Sequence, residues 1–170
     1  MPGQRLSACT CPESDHPGPS TSVGRNAPEI DIIEAQIDTN TWQGQASQSF
    51  QTAPFNYQYV YDNSSASTSI LDSATQFNTY TGSVYQQALS ALSPINSQNY
   101  GGNGFGKYAF EWWSNPSHRS QGYITWSVDD TPTWKLTAAS LAGDSETGIS
   151  SRIIPEEPMV RQIALGLCCG

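Results

Sequence analysis

Three carboxylates and three isoleucines crowd into ten residues, Ala27-Pro-Glu-Ile-Asp-Ile-Ile-Glu-Ala-Gln36, and any fold must separate the two sets. In a regular β-strand side chains alternate, so Glu29 and Asp31 share a face while Glu34 points to the other one. One extra residue at Ile32-Ile33 changes the outcome. A β-bulge there turns both isoleucines to the face of Ile30 and returns Glu34 to the face of Glu29 and Asp31. The same run also fits a helix, with Asn26 as N-cap, Pro28 in the first turn, Glu29 at the capping-box position and Ile30, Ile33 and Ile37 at helical spacing. On a helix the three acids splay around the axis and build no site.

The chain has 170 residues, enough for one domain with a real core, and shows no internal repeat. Only 13% of residues are charged, so its polarity comes from Ser, Thr, Asn, Gln and Gly, a balance that favours β-structure. A net charge of −8 with 7 scattered Lys and Arg leaves no basic footprint for nucleic acid or an anionic membrane. A neutral polymer suits this surface better. No apolar run approaches the ~18 residues of a membrane span, and residues 1–11 lack the hydrophobic segment of a signal peptide. Cys9, Cys11, Cys168 and Cys169 lie at the two ends and are candidates for disulfides; their spacing is wrong for the usual zinc sites, so no metal is expected. Asn63-Ser-Ser65 is the one N-glycosylation sequon.

Along the chain, residues 1–25 read as an irregular Pro/Gly/Ser-rich arm, 26–165 as a β-sandwich, and 166–170 as a short divergent end. Residues 41–55 form a strand ended by Pro54, and 57–61 and 69–80 hold short β candidates around the Asp62-Asn-Ser-Ser65 turn. Residues 85–92 fit a strand or a short helix. The clearest signal is Lys107 to Trp113, where Tyr108, Phe110 and Trp112 share one face and Ala109, Glu111 and Trp113 the other. Ile124, Trp126 and Val128 then align before Asp129-Asp-Thr-Pro132 supplies turn chemistry, which predicts a hairpin. Residues 138–150 read as a loop, and 153–165 as a returning strand after the break at Pro155 to Pro158.

Gly24-Arg-Asn-Ala-Pro-Glu-Ile-Asp-Ile-Ile-Glu-Ala-Gln36 resembles the active-site strand of the fungal β-glucan synthesis-associated proteins of the Kre6/Skn1 type, which belong with family 16 glycoside hydrolases and share their E-x-D-x-x-E pattern. The likeness continues through Leu6-Ser-Ala-Cys-Thr-Cys11, Asp15-His-Pro-Gly-Pro19, Ser47-Gln-Ser-Phe-Gln-Thr-Ala-Pro-Phe55 and Tyr85-Gln-Gln-Ala-Leu-Ser90. It includes Tyr108-Ala-Phe-Glu-Trp112, Ile124-Thr-Trp-Ser-Val-Asp129, Thr133-Trp134 and Ile153-Ile-Pro-Glu-Glu-Pro-Met159, and so covers most of the chain in order. It implies an all-β, concanavalin A-like jelly roll whose concave sheet carries a sugar cleft, incomplete here because the family's domains have strands before the cysteine-rich arm. It also implies a retaining glycosidase or transglycosylase acting on cell-wall β-glucan. In that chemistry Glu29 is the nucleophile, Glu34 the acid/base and Asp31 the carboxylate between them, with the two glutamate carboxyls roughly 5 Å apart and no cofactor. Partners would be β-glucan or its oligosaccharides. The implied location is the secretory pathway, cell surface or membrane, the last only through a segment absent from this chain.

Sugar rings stack on exposed indoles, whereas a buried Trp fills the core. Trp113, beside Glu111, is the cleft candidate of its strand, joined by Trp42 and Gln48 as substrate-binding residues. Trp126 belongs with Ile124 and Val128 in the core. His118 reads as a loop residue and His16 lies in the arm; neither has the nucleophile elbow of an acyl-transfer site.

Overall fold

The computed structural model describes residues 26–156 together with Met159, Arg161 and Ile163. The four cysteines, His16, the arm at 1–25 and the end at 166–170 lie outside the described residues. Among those described, eight strands run in chain order: β1 Ala27–Asp38, β2 Gln43–Ala53, β3 Thr68–Ile70, β4 Gln76–Phe77, β5 Gln87–Pro94, β6 Tyr108–Trp113, β7 Tyr123–Val128 and β8 Thr131–Thr137. They form two antiparallel sheets, ordered β1-β2-β5-β4 and β3-β8-β7-β6. The fold is an all-β sandwich.

Between the sheets, Phe50, Leu89 and Ala91 of the first meet Ile124, Trp126, Trp134 and Leu136 of the second, with Leu141 and Ile154 from the loops. Two indoles anchor this layer: Trp126 and Trp134 stack with centroids 4.3 Å apart and planes within 2°. The β7–β8 hairpin turns on Asp129 and Asp130, both at positive φ (47° and 64°), which is the twist a two-residue hairpin loop requires.

Residues 27–38 are a strand, and the helical alternative is overturned by pairing with β2. Its register confirms the bulge: Asp31 faces Ser49 and Glu34 faces Ser47, so Ile32 and Ile33 together stand opposite Gln48. A bulge leaves ladder groups without partners, and here the core supplies them. The Gln48 carboxamide, fully buried, donates to the Ile32 carbonyl at 3.0 Å and the Ser127 carbonyl at 3.3 Å, while its oxygen accepts from Thr133 Oγ1 at 3.1 Å. The Trp126 indole N–H donates to the Asp31 carbonyl at 2.9 Å. Thr133 is itself the extra residue of a second irregularity, because Trp126 pairs with Trp134 and Ser127 with Pro132. One side chain therefore ties a bulge in each sheet to the other.

Burial of the isoleucines is less complete than the pattern predicts. Ile30 packs on the core, but Ile32 and Ile33 are 40% and 38% exposed. The reason is position: β1 is the edge of its sheet, paired only with β2 among the described residues. Two further expectations change. Residues 57–59 form a 3-10 turn, not a strand, since Gln58 and Tyr59 take positive φ and Tyr59 stacks on Phe55 at 5.0 Å. Residues 151–156 form no strand either. Side chains hold them instead: Arg152 donates to the carbonyls of Pro54, Leu141 and Ala142, the Pro155 carbonyl accepts from Trp112 Nε1 at 2.7 Å, and Glu156 pairs with Arg119.

Replacing Gln48 by Met keeps its volume but strands the Ile32 and Ser127 carbonyls. The expected loss is about 1–3 kcal/mol for each carbonyl left unpaired, seen as a lower urea midpoint with unchanged m-value.

Candidate functional site

The bulge decides what the outer face of the first sheet carries. Glu29, Asp31 and Glu34 from β1 stand beside Ser47, Ser49 and Gln51 of β2, with Ala88 and Ser90 of β5 beyond them. Glu34, Ser47, Ser49, Gln51, Ser90 and Asn78 line a groove of about 490 Å³, whose wall includes Tyr80. Among the described residues no Lys, Arg or His lines it.

Hydrogen bonds join the three acids into one chain. Gln86, just before β5, donates through Nε2 to Glu29 Oε2 and to Gln51 Oε1, both at 2.8 Å. Gln51 Nε2 donates to Asp31 Oδ2 at 2.9 Å. Ser49 Oγ lies 2.5 Å from the same Asp31 oxygen and 3.3 Å from Glu34 Oε2. The carboxyl of Glu34 is half-sunk in the groove, although the residue as a whole is exposed. Its pKa is raised above the ordinary value of 4.5, first by burial, then by the Asp31 charge, with Glu29 adding a little; a hydrogen bond donated by Ser49 would act in the opposite sense. A carboxyl that holds its proton more tightly than usual can give it to a leaving group and take it back.

The other predicted site residues scatter. Gln48 is a core clamp and not a groove residue, because bulge geometry puts it on the opposite face from Ser47 and Ser49. Trp113 and Glu111 are likewise corrected. They alternate with the core-packed Phe110 and Trp112, so they occupy the outer face of the second sheet, a whole sandwich away from the acids. There Trp113 meets Tyr123 edge-on at 5.8 Å, the Tyr123 hydroxyl bonds Glu111, and Lys135 Nζ sits 4.2 Å over the Tyr123 ring. Trp42 is 79% exposed at the β1–β2 turn and lines a second depression with Ile37, Gly44, Ile95 and Tyr100; Ala35 and Gln36 belong to both this depression and the groove. Trp126 is fully buried as predicted, and His118 and Asn63 are exposed in loops.

Sequence reasoning did not single out Ser49, Gln51, Gln86 or Ser90. The available signal was the polar alternation of Gln45-Ala-Ser-Gln-Ser-Phe-Gln51, which puts Ser47, Ser49 and Gln51 on one face; only the register shows that this face adjoins the acids. Among the described residues no group of three His, Cys, Asp or Glu is placed to hold a metal ion, and no helix is long and apolar enough to cross a membrane.

The model of one protein family, described as beta-glucan synthesis-associated protein SKN1/KRE6/Sbg1, matches residues 1–169. This chain belongs to that family. It is 42% identical over 172 residues to beta-glucan synthesis-associated protein KRE6 of Saccharomyces cerevisiae, covering 98% of this chain and 23% of that protein. It is 42% identical over 171 residues to SKN1 of the same yeast, covering 98% of this chain and 21% of that protein. With KRE6 of Candida albicans the identity is 39% over 176 residues, again 98% of this chain and 23% of the relative. The chain thus spans about a quarter of the length of the relatives it matches. No solved structure matches it.

The raised pKa of Glu34 has a defined effect on stability. A carboxyl that binds its proton more tightly when folded stabilises the fold below its unfolded pKa, and that contribution is lost as pH rises through the folded value. The stability difference between wild type and Glu34→Gln, from urea midpoints across pH, should therefore move in favour of the variant as pH rises from about 4.5.

Proposed function

We propose that this chain carries the catalytic groove of a retaining glycoside hydrolase or transglycosylase of the family 16 type, acting on cell-wall β-glucan and contributing to β-1,6-glucan synthesis. The observation that carries the reading is the bulge, which puts Glu29, Asp31 and Glu34 on one face beside a groove that no described residue lines with a cation. Glu29 attacks the anomeric carbon while Glu34 gives its proton to the departing glycosidic oxygen. The carbon–oxygen bond breaks and a glycosyl ester forms on Glu29. Ionised Glu34 then takes a proton from water or from a sugar hydroxyl, whose oxygen attacks the same carbon and frees Glu29. Asp31 is held between them by Ser49 and Gln51. Hydrolysis and transfer differ only in the attacking hydroxyl.

A second feature supports a polyol ligand. Ser90 is 4% exposed, lines the groove, and its Oγ has no partner among the described residues. A hydroxyl left unpaired under the wall of the groove is costly, and a sugar hydroxyl that displaces that wall could pair with it. Beyond Gln36, the depression lined by Trp42, Tyr100 and Ile37 offers an apolar platform for a further glucosyl ring. The family names, and the exposed sequon at Asn63, fit a protein of the secretory pathway or cell surface, with membrane attachment through chain outside these residues.

One observation favours a second reading, a non-catalytic β-glucan-binding sandwich: all three acids sit on an edge strand, so among the described residues the groove has no wall beyond β1. Products from β-1,3- and β-1,6-glucan oligosaccharides, analysed by mass spectrometry, separate the two. The enzyme gives shorter or longer oligosaccharides, Glu29→Gln gives none, and Glu34→Gln is slower by roughly 10²–10⁴. Binding without turnover by folded wild type would establish the binding module instead. Trp42→Ala should weaken binding of longer oligosaccharides while sparing cleavage of the shortest ones.

A further inference from the structure

Ser49 stands between two carboxylates with a single hydrogen to give. Its Oγ is 2.5 Å from Asp31 Oδ2 and 3.3 Å from Glu34 Oε2, and the residue is 1% exposed, so water does not serve the hydroxyl. The short contact takes the hydrogen. The longer one then joins an oxygen lone pair to a carboxyl oxygen, which is repulsive if Glu34 is ionised and attractive if Glu34 carries a proton. The structure gives Glu34 no other hydrogen-bond donor among the described residues, whereas Asp31 Oδ2 receives both Ser49 and Gln51 Nε2.

We propose that Ser49 is a positioning residue that assigns the proton of the acid pair: its O–H is committed to Asp31, and its lone pair accepts the O–H of protonated Glu34. The chain reads Glu34 O–H to Ser49 Oγ, then Ser49 O–H to Asp31. The proton of the pair is thereby placed on Glu34, although both are carboxylates on one strand face. After Glu34 gives up its proton, Ser49 has no hydrogen left for it, and the uncompensated anion is a ready base for the second half-reaction. This catalytic meaning rests on the acid/base reading of Glu34; the proton's position does not.

The remaining groups that face Glu34 do not supply an alternative. On its own strand they are Asp31 and Glu29; on β2, Ser47 and Ser49; on β5, Ser90; and across the groove, Asn78 and the phenol of Tyr80. None of these described groups is cationic, so burial, the neighbouring charges and the unequal sharing of the Ser49 and Gln51 hydrogens are what distinguish the two members of the pair. If Ser49 instead donated to Glu34, it would stabilise the carboxylate, and the two arrangements predict opposite signs when the hydroxyl is removed.

The test is a carboxyl-carbon NMR titration of protein labelled with ¹³C at glutamate side-chain carboxyls, with the Glu34 resonance assigned by its loss in Glu34→Gln. In Ser49→Ala the Glu34 midpoint should fall by about 0.5–1 pH unit, the equivalent of one hydrogen bond to the protonated form, and Ser49→Thr should restore it. The alkaline limb of kcat/KM should move down with it. Should Ser49→Ala not fold, Ser49→Cys, with its weak donor and acceptor, reads the same shift. A midpoint that rises or stays in place overturns the proposal. The titration needs no turnover, so an inactive protein with the lowered midpoint would sink the glycosidase reading and leave the proton assignment standing.

Discussion

The buried carboxamide of Gln48 is the contact on which the acidic face depends. A bulge turns carbonyls out of the ladder, and an unpaired carbonyl inside a sandwich costs more than most single interactions contribute. Gln48 and Trp126 receive the Asp31 and Ile32 carbonyls, while Gln48 also bonds Ser127 and Thr133 where the opposite sheet is irregular. Each bulge is tolerable because the other stands across from it. Without this pairing β1 would relax to regular alternation, and Glu34 would turn into the core.

Given that face, the chemistry follows from what surrounds it. Three carboxylates within six residues are usually calmed by lysines or arginines, which would lower every pKa together. Here amides and hydroxyls do the holding: Gln86 on Glu29, Gln51 and Ser49 on Asp31. Neutral donors can be shared unequally, and Glu34, the least well served of the three, has its pKa raised by burial and by the Asp31 charge. The chain's overall negative charge and its scarcity of basic residues suit such a site.

The aromatic residues show how far one sheet can mislead about the other. Trp113 and Glu111 look like a sugar platform in sequence, yet on the outer face of the second sheet they satisfy one another through Tyr123 and Lys135. Trp42, isolated in sequence, is the indole that flanks a depression touching the groove.

Strand period, the doublet Ile32-Ile33 and the E-x-D-x-x-E spacing made the bulged strand and its acidic face legible as one of two readings, the other a helix, and the sequence also displayed the core role of Trp126 and a hairpin turn within Asp129-Asp-Thr-Pro132. These are local properties: alternation and turn chemistry act over a few neighbours, and sequence displays them directly. Which polar residues serve the acids was not legible, since Gln48 and Ser49 are adjacent and alike in character, yet one is a core clamp and the other a groove residue. Register between β1 and β2 separates them. Nor could periodicity show that β6 lies in the other sheet, or that β1 is an edge and leaves its isoleucines half exposed. Those are long-range facts, decided by which strands pair and which faces close, and only the tertiary structure holds them.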